Sequence, residues 1–263
     1  MLDQMVQVLF QPVVDIRGAR RILGFEALSR FPKAAGGPKG PEEVLEQAWQ
    51  KDKLLLIERA LRRAALSAVG ARPIKGHDPI VFVNVDTRIA HDEAFRAGFT
   101  AQLCEEFQID PKRIVLELTE RDASKRQERL ARVAETFAED GFAVALDELD
   151  ADYSSLTLAT TCPCAYIKLR RSVVHGIADS PENANMVEAL CRFAASEGIK
   201  VIAAGVEREA DLARVKQLGA NYAQGFLIGR PLPLSYWKAK VETSGAATSL
   251  KGSGRARLRA LAG

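Results

Sequence analysis

Six apolar runs in the sequence each end in a polar residue of a type that can do chemistry. These residues are Glu26, Asn84, Glu117, Asp147, Lys168 and Gln224. If the runs are parallel strands of a barrel, their carboxyl ends meet at one mouth, where the functional sites of such barrels lie. Burying several carboxylates together is costly unless a cation neutralises them. The pattern therefore indicates a site that holds positive charge.

The donor types narrow this chemistry. Four of the residues offer oxygen donors only: Glu26, Asn84, Glu117 and Asp147. Hard oxygen donors suit Mg²⁺ or Mn²⁺ rather than zinc. A carboxylate cluster that holds one or two such ions can cleave a phosphodiester, and Lys168 would then stabilise charge on the phosphate. The alternative interpretation is a barrel whose polar mouth is purely structural.

Short apolar runs alternate with longer amphipathic stretches along most of the chain. The apolar runs are Val8–Val14, Ile80–Val85, Ile114–Leu118, Phe142–Leu146, Ala165–Leu169, Val201–Ala204 and Tyr222–Ile228. The stretches with helical periodicity are Pro41–Val69, Ala94–Phe107, Ala123–Asp140, Pro181–Glu197 and Glu209–Leu218. Repeated strand and helix units without a GxGxxG turn favour a closed, TIM-like (β/α)8 barrel over an open dinucleotide-binding sheet.

The first unit departs from this pattern. Apolar runs flank a Gly-containing turn at residues 17–20, so Val8–Asp15 and Ile22–Leu28 predict an antiparallel hairpin. Residues 32–41 are rich in Gly and Pro and predict a loop. We expect one barrel domain over residues 1–242 and a basic, flexible tail over residues 243–263. That tail is either a solvated segment or an arm for nucleic acid or a partner.

Composition excludes several classes of protein. The 263 residues are 47% hydrophobic and 27% charged with a net charge of +3, which is typical of globular proteins and gives no reason to propose nucleic acid. No apolar run approaches the roughly 18 residues of a membrane helix, and the N-terminus lacks the pattern of a signal peptide. The four cysteines do not form a dense disulfide framework. We therefore expect a cytoplasmic protein that does not bind membranes.

Several motifs together resemble the EAL domain family, the bacterial cyclic di-GMP phosphodiesterases. The motif that names the family is Glu26-Ala27-Leu28. Further similar segments follow in order: Leu9–Asp15, Val83–Val85, Glu117–Glu120, Tyr153–Leu156, Ile167–Lys168 and Ala223–Pro231. The resemblance implies a barrel with an antiparallel first strand, which agrees with the hairpin.

The resemblance also implies roles for individual residues. It implies Mg²⁺ or Mn²⁺ ligands at Glu26, Asn84, Glu117 and Asp147. It implies substrate contacts at Gln11, Leu28, Arg30, Gln224 and Pro231. It implies catalytic roles for Asp147, Glu148 and Lys168, and it makes Glu120 a residue that steadies the loop after the fifth strand. Arg30 would face a phosphate, because a guanidinium can bind two phosphate oxygens at once.

One departure from the family removes a functional group. The family usually has Ala-Glu-Gly-Val-Glu where this chain has Ala203-Ala204-Gly205-Val206-Glu207. Ala204 therefore stands in place of the catalytic glutamate and can neither bind a metal nor accept a proton. Glu207 is three residues further on, so in a strand it faces the opposite side. Loss of a general base typically lowers a rate by about 10²–10⁴-fold.

A second group of departures lies in the loop after the fifth strand. The family usually has Asp-Asp-Phe-Gly-Thr-Gly-Tyr-Ser-Ser, and residues 147–155 read Asp-Glu-Leu-Asp-Ala-Asp-Tyr-Ser-Ser. Glu148 keeps the charge but adds a methylene, and Asp150 and Asp152 replace glycines. If the family loop uses positive φ at those glycines, this loop has a different shape. In addition, Arg170 replaces the acid of the family's Lys-Ile-Asp.

These departures separate two functional hypotheses. The first is a degenerate EAL domain, inactive or very weak as an enzyme, which binds cyclic di-GMP or a protein partner and can form a homodimer. The second is an active Mg²⁺- or Mn²⁺-dependent phosphodiesterase that yields the linear dinucleotide. In the first case no metal need be bound. A barrel with an unrelated substrate is a third interpretation. If the sequence is a whole protein, its input comes through a partner or the nucleotide.

Overall fold

Eight strands close into a barrel in sequence order. The computed structural model describes residues 6–31, 40–70, 79–95, 98–119 and 126–243. The strands are β1 (Gln7–Asp15), β2 (Ile22–Arg30), β3 (Ile80–Asp86), β4 (Ile114–Thr119), β5 (Ala143–Leu149), β6 (Tyr166–Leu169), β7 (Lys200–Ala203) and β8 (Tyr222–Ala223). β1 runs antiparallel to both β2 and β8, and the other neighbouring strands are parallel. The prediction of a TIM-like barrel with an antiparallel first strand is confirmed.

Helices follow most of the strands and pack against them. They are α1 (Pro41–Gln50), α2 (Leu54–Val69), α3 (Gly98–Glu106), α4 (Arg126–Glu139), α5 (Tyr153–Thr161), α6 (Arg171–Val174), α7 (Pro181–Ser196), α8 (Glu209–Gln217) and α9 (Leu234–Thr243). Short 3₁₀ turns lie at Thr87–His91, Pro111–Arg113 and Ile177–Asp179. Within the described ranges, no helix combines the length and apolar character needed to cross a membrane.

The predicted helical stretch over residues 41–69 is divided into α1 and α2. Asp52 adopts a left-handed conformation (φ 53°), and the next residue, Lys53, donates its N–H to the carbonyl of Ala48 over 2.8 Å. This is the hydrogen-bond pattern of a helix end closed by a left-handed residue. Aspartate is an uncommon residue in that position, so the periodicity alone did not indicate the break.

The last predicted strand is also shorter than expected, because the chain turns after Ala223. The carbonyl of Gln224 accepts the N–H of Val206 over 2.9 Å, and Gly225 follows with φ 156°. A Cβ at Gly225 would lie 2.1 Å from the Val206 carbonyl oxygen. The backbones approach so closely here that only glycine fits.

One apolar layer fills the barrel below its mouth. It consists of the buried residues Val13, Phe82, Val115, Ala145 and Ile202. The larger core lies between the strands and the helices. Because side chains alternate along a strand, the residue two positions from each member of the layer also faces the interior of the barrel. The apolar layer therefore determines which residues reach the mouth.

The β1–β8 seam closes the barrel with few backbone contacts. Only two register pairs join the strands, Val14 with Ala223 and Asp15 with Tyr222. A short bridge between Phe10 and Leu232 extends the closure. The indole of Trp237 on α9 adds a hydrogen bond to the Phe10 carbonyl over 2.7 Å.

Candidate functional site at the barrel mouth

Each mouth residue lies two positions along its strand from a residue of the apolar layer, on the same side of the strand. On β3, β4, β5 and the end of β7 these residues are Asn84, Glu117, Asp147 and Ala204. β1 runs in the opposite direction, so its mouth residue Gln11 precedes Val13 and lies in register with Glu26 on β2. Asn84 and Glu117 are also register partners. The barrel therefore brings together residues that are far apart in the sequence.

Lys168 is the centre of this arrangement. Its Nζ donates to both carboxylate oxygens of Glu117 at 2.9 Å and to Oε2 of Glu26 at 2.9 Å. Oδ1 of Asp147 lies 3.9 Å away. Lys168 is 3% exposed and Glu117 is fully buried. A buried ammonium with this many acidic neighbours stays charged, and it is the cation that the sequence pattern required.

Glu26 connects Lys168 to two amide side chains. Its Oε1 accepts a hydrogen bond from Nδ2 of Asn84 at 2.9 Å. Its Oε2 also accepts one from Nε2 of Gln224. Gln224 donates in addition to Oε1 of Gln11 at 3.2 Å, and Gln11 donates to the carbonyl of Gly229 at 2.9 Å. This network joins the residues from β1, β2, β3 and the turn after β8.

The four ionisable groups differ in how their pKa values are displaced. Burial raises the pKa of Glu26, but the ammonium of Lys168 and three donated hydrogen bonds outweigh burial and lower it to about 2. Burial and the other carboxylates raise the pKa of Glu117 well above its usual value, against the opposing effect of Lys168. Burial likewise raises the pKa of Asp147. Although burial lowers the pKa of Lys168, the three carboxylates raise it well above its usual value. One ammonium is thus shared by three carboxylates.

The donors fit a divalent ion only in part. Glu26, Asn84, Glu117 and Asp147 supply hard oxygen atoms suited to Mg²⁺ or Mn²⁺. Within the described ranges, however, no three acidic, histidine or cysteine side chains surround a common metal position. The ammonium of Lys168 lies among the carboxylates instead. The metal ligands named from the sequence therefore remain a prediction.

Ala204 faces the mouth without a functional group. Its backbone N–H donates to the carbonyl of Leu169 at 3.1 Å, which continues the β6–β7 ladder by one step. Glu207 is turned to the rim, where its Oε1 accepts a hydrogen bond from Nε of Arg171 at 2.9 Å. The Glu207 side chain is 30% exposed. The side of the mouth formed by β7 therefore offers no carboxylate comparable to those around Lys168.

The loop after β5 departs from regular strand geometry. Glu148 and Ala151 both have positive φ, 55° and 59°. The left-handed positions thus fall beside Asp150 and Asp152, which replace the family's glycines, and not on them. Asp152 has φ −96° and caps α5, since its side chain accepts the N–H of Ser155. That this loop differs in shape from the loop of the family stays a prediction.

Two cavities flank the carboxylate cluster. One, of about 290 Å³, is lined by Gln11, Lys168, Arg170, Ala204, Gln224 and Phe226 among others. The other, of about 210 Å³, contains the predicted substrate contacts Leu28 and Arg30. Glu26, Asp147 and Glu148 line both. Pro231 lines neither cavity, and Glu120 lies outside the described residues.

A buried ion pair beside the second cavity was not anticipated. Glu58 and Arg62 on α2 are each at most 3% exposed, and Arg62 donates to Glu58 at 3.3 Å. Glu58 also accepts the backbone N–H of Asp86 at 3.0 Å, which ties α2 to the end of β3. Burial raises the pKa of Glu58 to about 7, with Arg62 opposing and Asp86 adding to the effect. Opposite charges four residues apart on the apolar face of α2 were the available sequence signal.

Comparisons with known proteins are consistent with this geometry. The sequence model of the EAL domain matches residues 2–231. The chain is 30% identical over 233 residues to the cyclic di-GMP phosphodiesterase PdeR of Escherichia coli K12, covering 88% of this chain and 34% of that protein. It is 31% identical over 231 residues to the uncharacterized protein y4lL of Sinorhizobium fredii, covering 88% and 27%. The chain thus spans about a third or less of the length of these relatives.

A solved structure gives the same result for the fold. The structure entitled PaMucR phosphodiesterase, cyclic di-GMP complex, aligns with a TM-score of 0.75 and 26% identity. The alignment covers 89% of this chain and 94% of that one. The barrel and its antiparallel first strand are therefore shared along nearly the whole aligned domain.

Proposed function

Since the chain belongs to the EAL domain family, we propose that it binds cyclic di-GMP in cyclic di-GMP signalling and hydrolyses the nucleotide weakly or not at all. The observation that carries this proposal is Ala204. It lies at the mouth, in the cavity that Lys168 and Asp147 also line, without an oxygen that could hold a metal or take a proton from water.

The residues at the mouth also make metal-dependent hydrolysis weaker. EAL phosphodiesterases use divalent metal ions, and a bound ion would activate water and stabilise charge on the phosphate. Of the donors for one ion, Glu26, Glu117 and Asp147 are arranged around Lys168. The fourth, Asn84, donates a hydrogen bond to Glu26. For a second ion, the cavity beside Ala204 offers Glu148, whose backbone is left-handed (φ 55°), and Glu207, which is paired with Arg171. The residues present therefore support binding better than turnover.

The residues that the resemblance assigns to substrate contacts support nucleotide binding. Gln11 and Gln224 are fixed at the mouth by their mutual hydrogen bond, and amide groups of this kind can recognise a polar ligand edge. Leu28 and Arg30 line the adjacent cavity. The guanidinium of Arg30 donates to its neighbour's carbonyl, Ser29, at 2.9 Å, which holds it at the end of β2. We assign to Lys168 the role of orienting a phosphate oxygen.

A protein-interaction role is a second candidate, and one exposed aromatic residue favours it. Tyr153, the first residue of α5, is 84% exposed, although tyrosine side chains are typically half-buried or more. It follows directly on the altered loop. A partner protein, or a second copy of this chain as a homodimer, would cover this residue and could sense the loop.

The test is incubation of the full chain with cyclic di-GMP and Mg²⁺ or Mn²⁺, followed by chromatography of the products. We expect turnover far below about one per second, the lower end of typical enzyme rates. Turnover at that rate or above would contradict the proposal and establish an active phosphodiesterase.

Calorimetry with cyclic di-GMP then tests binding. We expect a dissociation constant in about the micromolar range, weakened in Gln224→Leu. Gln217→Leu is the matched control, since Gln217 is an exposed glutamine on α8 remote from the mouth network. If no heat is measured at high nucleotide concentration, the proposal that the chain binds cyclic di-GMP is wrong and the protein-interaction role remains.

A further inference from the structure

The strand β5 contains a bulge at the point where it reaches the mouth. Leu146 is in register with Ile167, and Leu149 with Leu169. β5 thus advances three residues while β6 advances two, so one residue on β5 is extra. The bulge contains Asp147 and Glu148, and the positive φ of Glu148 is unfavourable for a residue with a side chain. Bulges of this kind re-aim side chains beside functional sites.

Arg170, the residue that directly follows the neighbouring strand β6, holds this bulge. Its Nε and Nη2 donate to the carbonyl of Glu148 at 3.2 and 3.0 Å. Its Nη1 lies 3.0 Å from Oδ1 of Asp150. One planar guanidinium therefore binds a backbone carbonyl and a carboxylate of the same loop. We call these three groups, Arg170, the Glu148 carbonyl and Asp150, the Arg170 clamp.

The clamp is connected to the mouth by a short chain of contacts. The N–H of Glu148, on the other side of the clamped residue, donates to Oδ1 of Asp147 at 2.8 Å. The same oxygen is the one nearest to Lys168, at 3.9 Å. Arg170 is the first residue after β6, two positions beyond Lys168. Lys168 on β6 and Arg170 just beyond its end thus contact the bulge at two points.

Asp150 and Arg170 were each identified in the sequence as a departure from the family pattern, without any link between them. Asp150 stands where the family usually has glycine, and Arg170 where it usually has an acid. In the structure these two departures contact one another. An exposed ion pair alone contributes little, and here the side chains are 36% and 41% exposed. The forked hydrogen bonds to a carbonyl add the directional constraint that a simple ion pair lacks.

We infer that Arg170 is a positioning residue that fixes Asp147 at the mouth by clamping the bulge of β5. The clamp also sets the path of the chain into α5, whose cap Asp152 lies two residues beyond Asp150. A preset loop spares the ligand the cost of ordering it. The effect on nucleotide affinity rests on the proposed function, whereas the effect on the loop does not.

The test compares Arg170→Ala and Arg170→Lys with Arg192→Ala in the full chain. Arg192 is the matched control, an exposed arginine 3.8 Å from Glu188 on α7. We expect hydrogen exchange of the peptide covering residues 147–152 to accelerate about tenfold in Arg170→Ala, as for loss of a hydrogen bond to a charged group. Arg170→Lys should rescue only in part, because lysine cannot form the fork. Exchange in α7 should not change.

Nucleotide affinity provides the second measurement. We expect Arg170→Ala to weaken cyclic di-GMP binding about five- to tenfold, with the melting temperature nearly unchanged. Unchanged exchange over residues 147–152, or acceleration spread over the whole barrel, would overturn the clamp. Local acceleration with unaltered affinity would overturn the positioning role. If the wild-type chain binds no nucleotide, the proposed function fails, and the exchange measurement still decides whether the clamp exists.

Discussion

The two sides of the barrel mouth differ in how they are built. The preserved side comprises Glu26, Asn84, Glu117 and Lys168. All four lie on regular strands, and each is fixed by strand register and by hydrogen bonds to another member. The altered side comprises residues 147–152 and Ala204. It consists of a bulge with one left-handed residue, Glu148, a following loop with another, Ala151, and a strand end with no functional group.

This difference separates binding from catalysis. The apolar layer lies beneath both sides and contains none of the substituted residues. Under the proposed function, the chain has lost a catalytic group at the end of β7 and keeps the amides and the lysine at the mouth. The predictions below probe each side in turn.

The largest effect is expected for Lys168→Met on the preserved side. Removal of the ammonium leaves Glu26 and Glu117 buried without a cation, which typically destabilises a protein by about 3–5 kcal/mol. Chemical denaturation at pH 7 measures this loss. Lys200→Met, at the exposed start of β7, is the control and should change stability by less than about 0.5 kcal/mol. If both variants lose a similar amount of stability, the buried carboxylates around Lys168 are not the cause of the loss.

The second prediction concerns acid stability. Because the pKa of Glu26 is lowered from 4.5 to about 2 in the folded chain, its ionised form favours folding above pH 4.5, and this contribution is lost as the pH falls from 4.5 towards 2. Glu26→Gln should therefore remove about 3 kcal/mol of the pH dependence in this window. Denaturation curves at several pH values measure it.

Glu58→Gln is the matched comparison with the opposite sign. The pKa of Glu58 is raised from 4.5 to about 7, so the folded chain holds a proton between pH 4.5 and 7 that the unfolded chain has released. Stability from this group therefore falls as the pH rises through that window, and Glu58→Gln should flatten this fall. If Glu26→Gln and Glu58→Gln change the pH dependence of stability in the same direction, the pKa values of the two carboxylates are not shifted in opposite directions.

The third prediction tests the altered side directly. Ala204→Glu combined with Glu148→Asp should raise the hydrolysis of cyclic di-GMP by about 10²-fold, the lower range for a positioned base. Product chromatography with Mn²⁺ present measures this gain. The single variant Glu148→Asp is the control and should gain little. If the double variant is as slow as the wild-type chain, the shape of the loop, and not the missing carboxylate, limits the reaction.

The smallest effect is expected at Asp152, where the chain has replaced a family glycine. Asp152→Ala removes the cap of α5 and should lower the free energy of unfolding by about 1 kcal/mol, whereas Asp152→Asn should keep most of it. Urea denaturation resolves the two. Equal losses in both variants would mean that the charge of Asp152, and not its capping geometry, matters.

Much of the fold was predictable because strand alternation is a local property. The apolar runs and the polar residue that ends each one identified the mouth, and the antiparallel hairpin followed from the spacing around residues 17–20. The break at Asp52 was not predictable, since Lys51-Asp52-Lys53 continues a helical pattern without Gly or Pro. The end of β8 depended on the close approach of Gly225 to Val206, a contact between distant segments.

The sequence predicted which residues lie together at the mouth, but not which side chains contact one another there. The sequence indicated that Ala204 faces the mouth, because alternation along β7 places it on the same side as Ile202. The expectation that alternation turns Glu207 away does not apply, since β7 ends at Ala203 and Glu207 lines the same cavity as Ala204. The sequence did not indicate that Lys168 would take up the carboxylates, nor that Arg170 would contact Asp150. Those contacts depend on side-chain conformations at a bulge, which no periodicity encodes.

The β1–β8 seam also determines when the mouth can form during synthesis of the chain. The hydrogen bond between Gln224 and Gln11 spans 213 positions of the chain. At about 5–20 residues per second, a ribosome needs roughly 10–40 s to synthesise that interval. Until then β1 has only its hairpin partner, and the amide pair at the mouth does not exist. The proposed ligand site is therefore completed in one late step, when the last strand closes on the first.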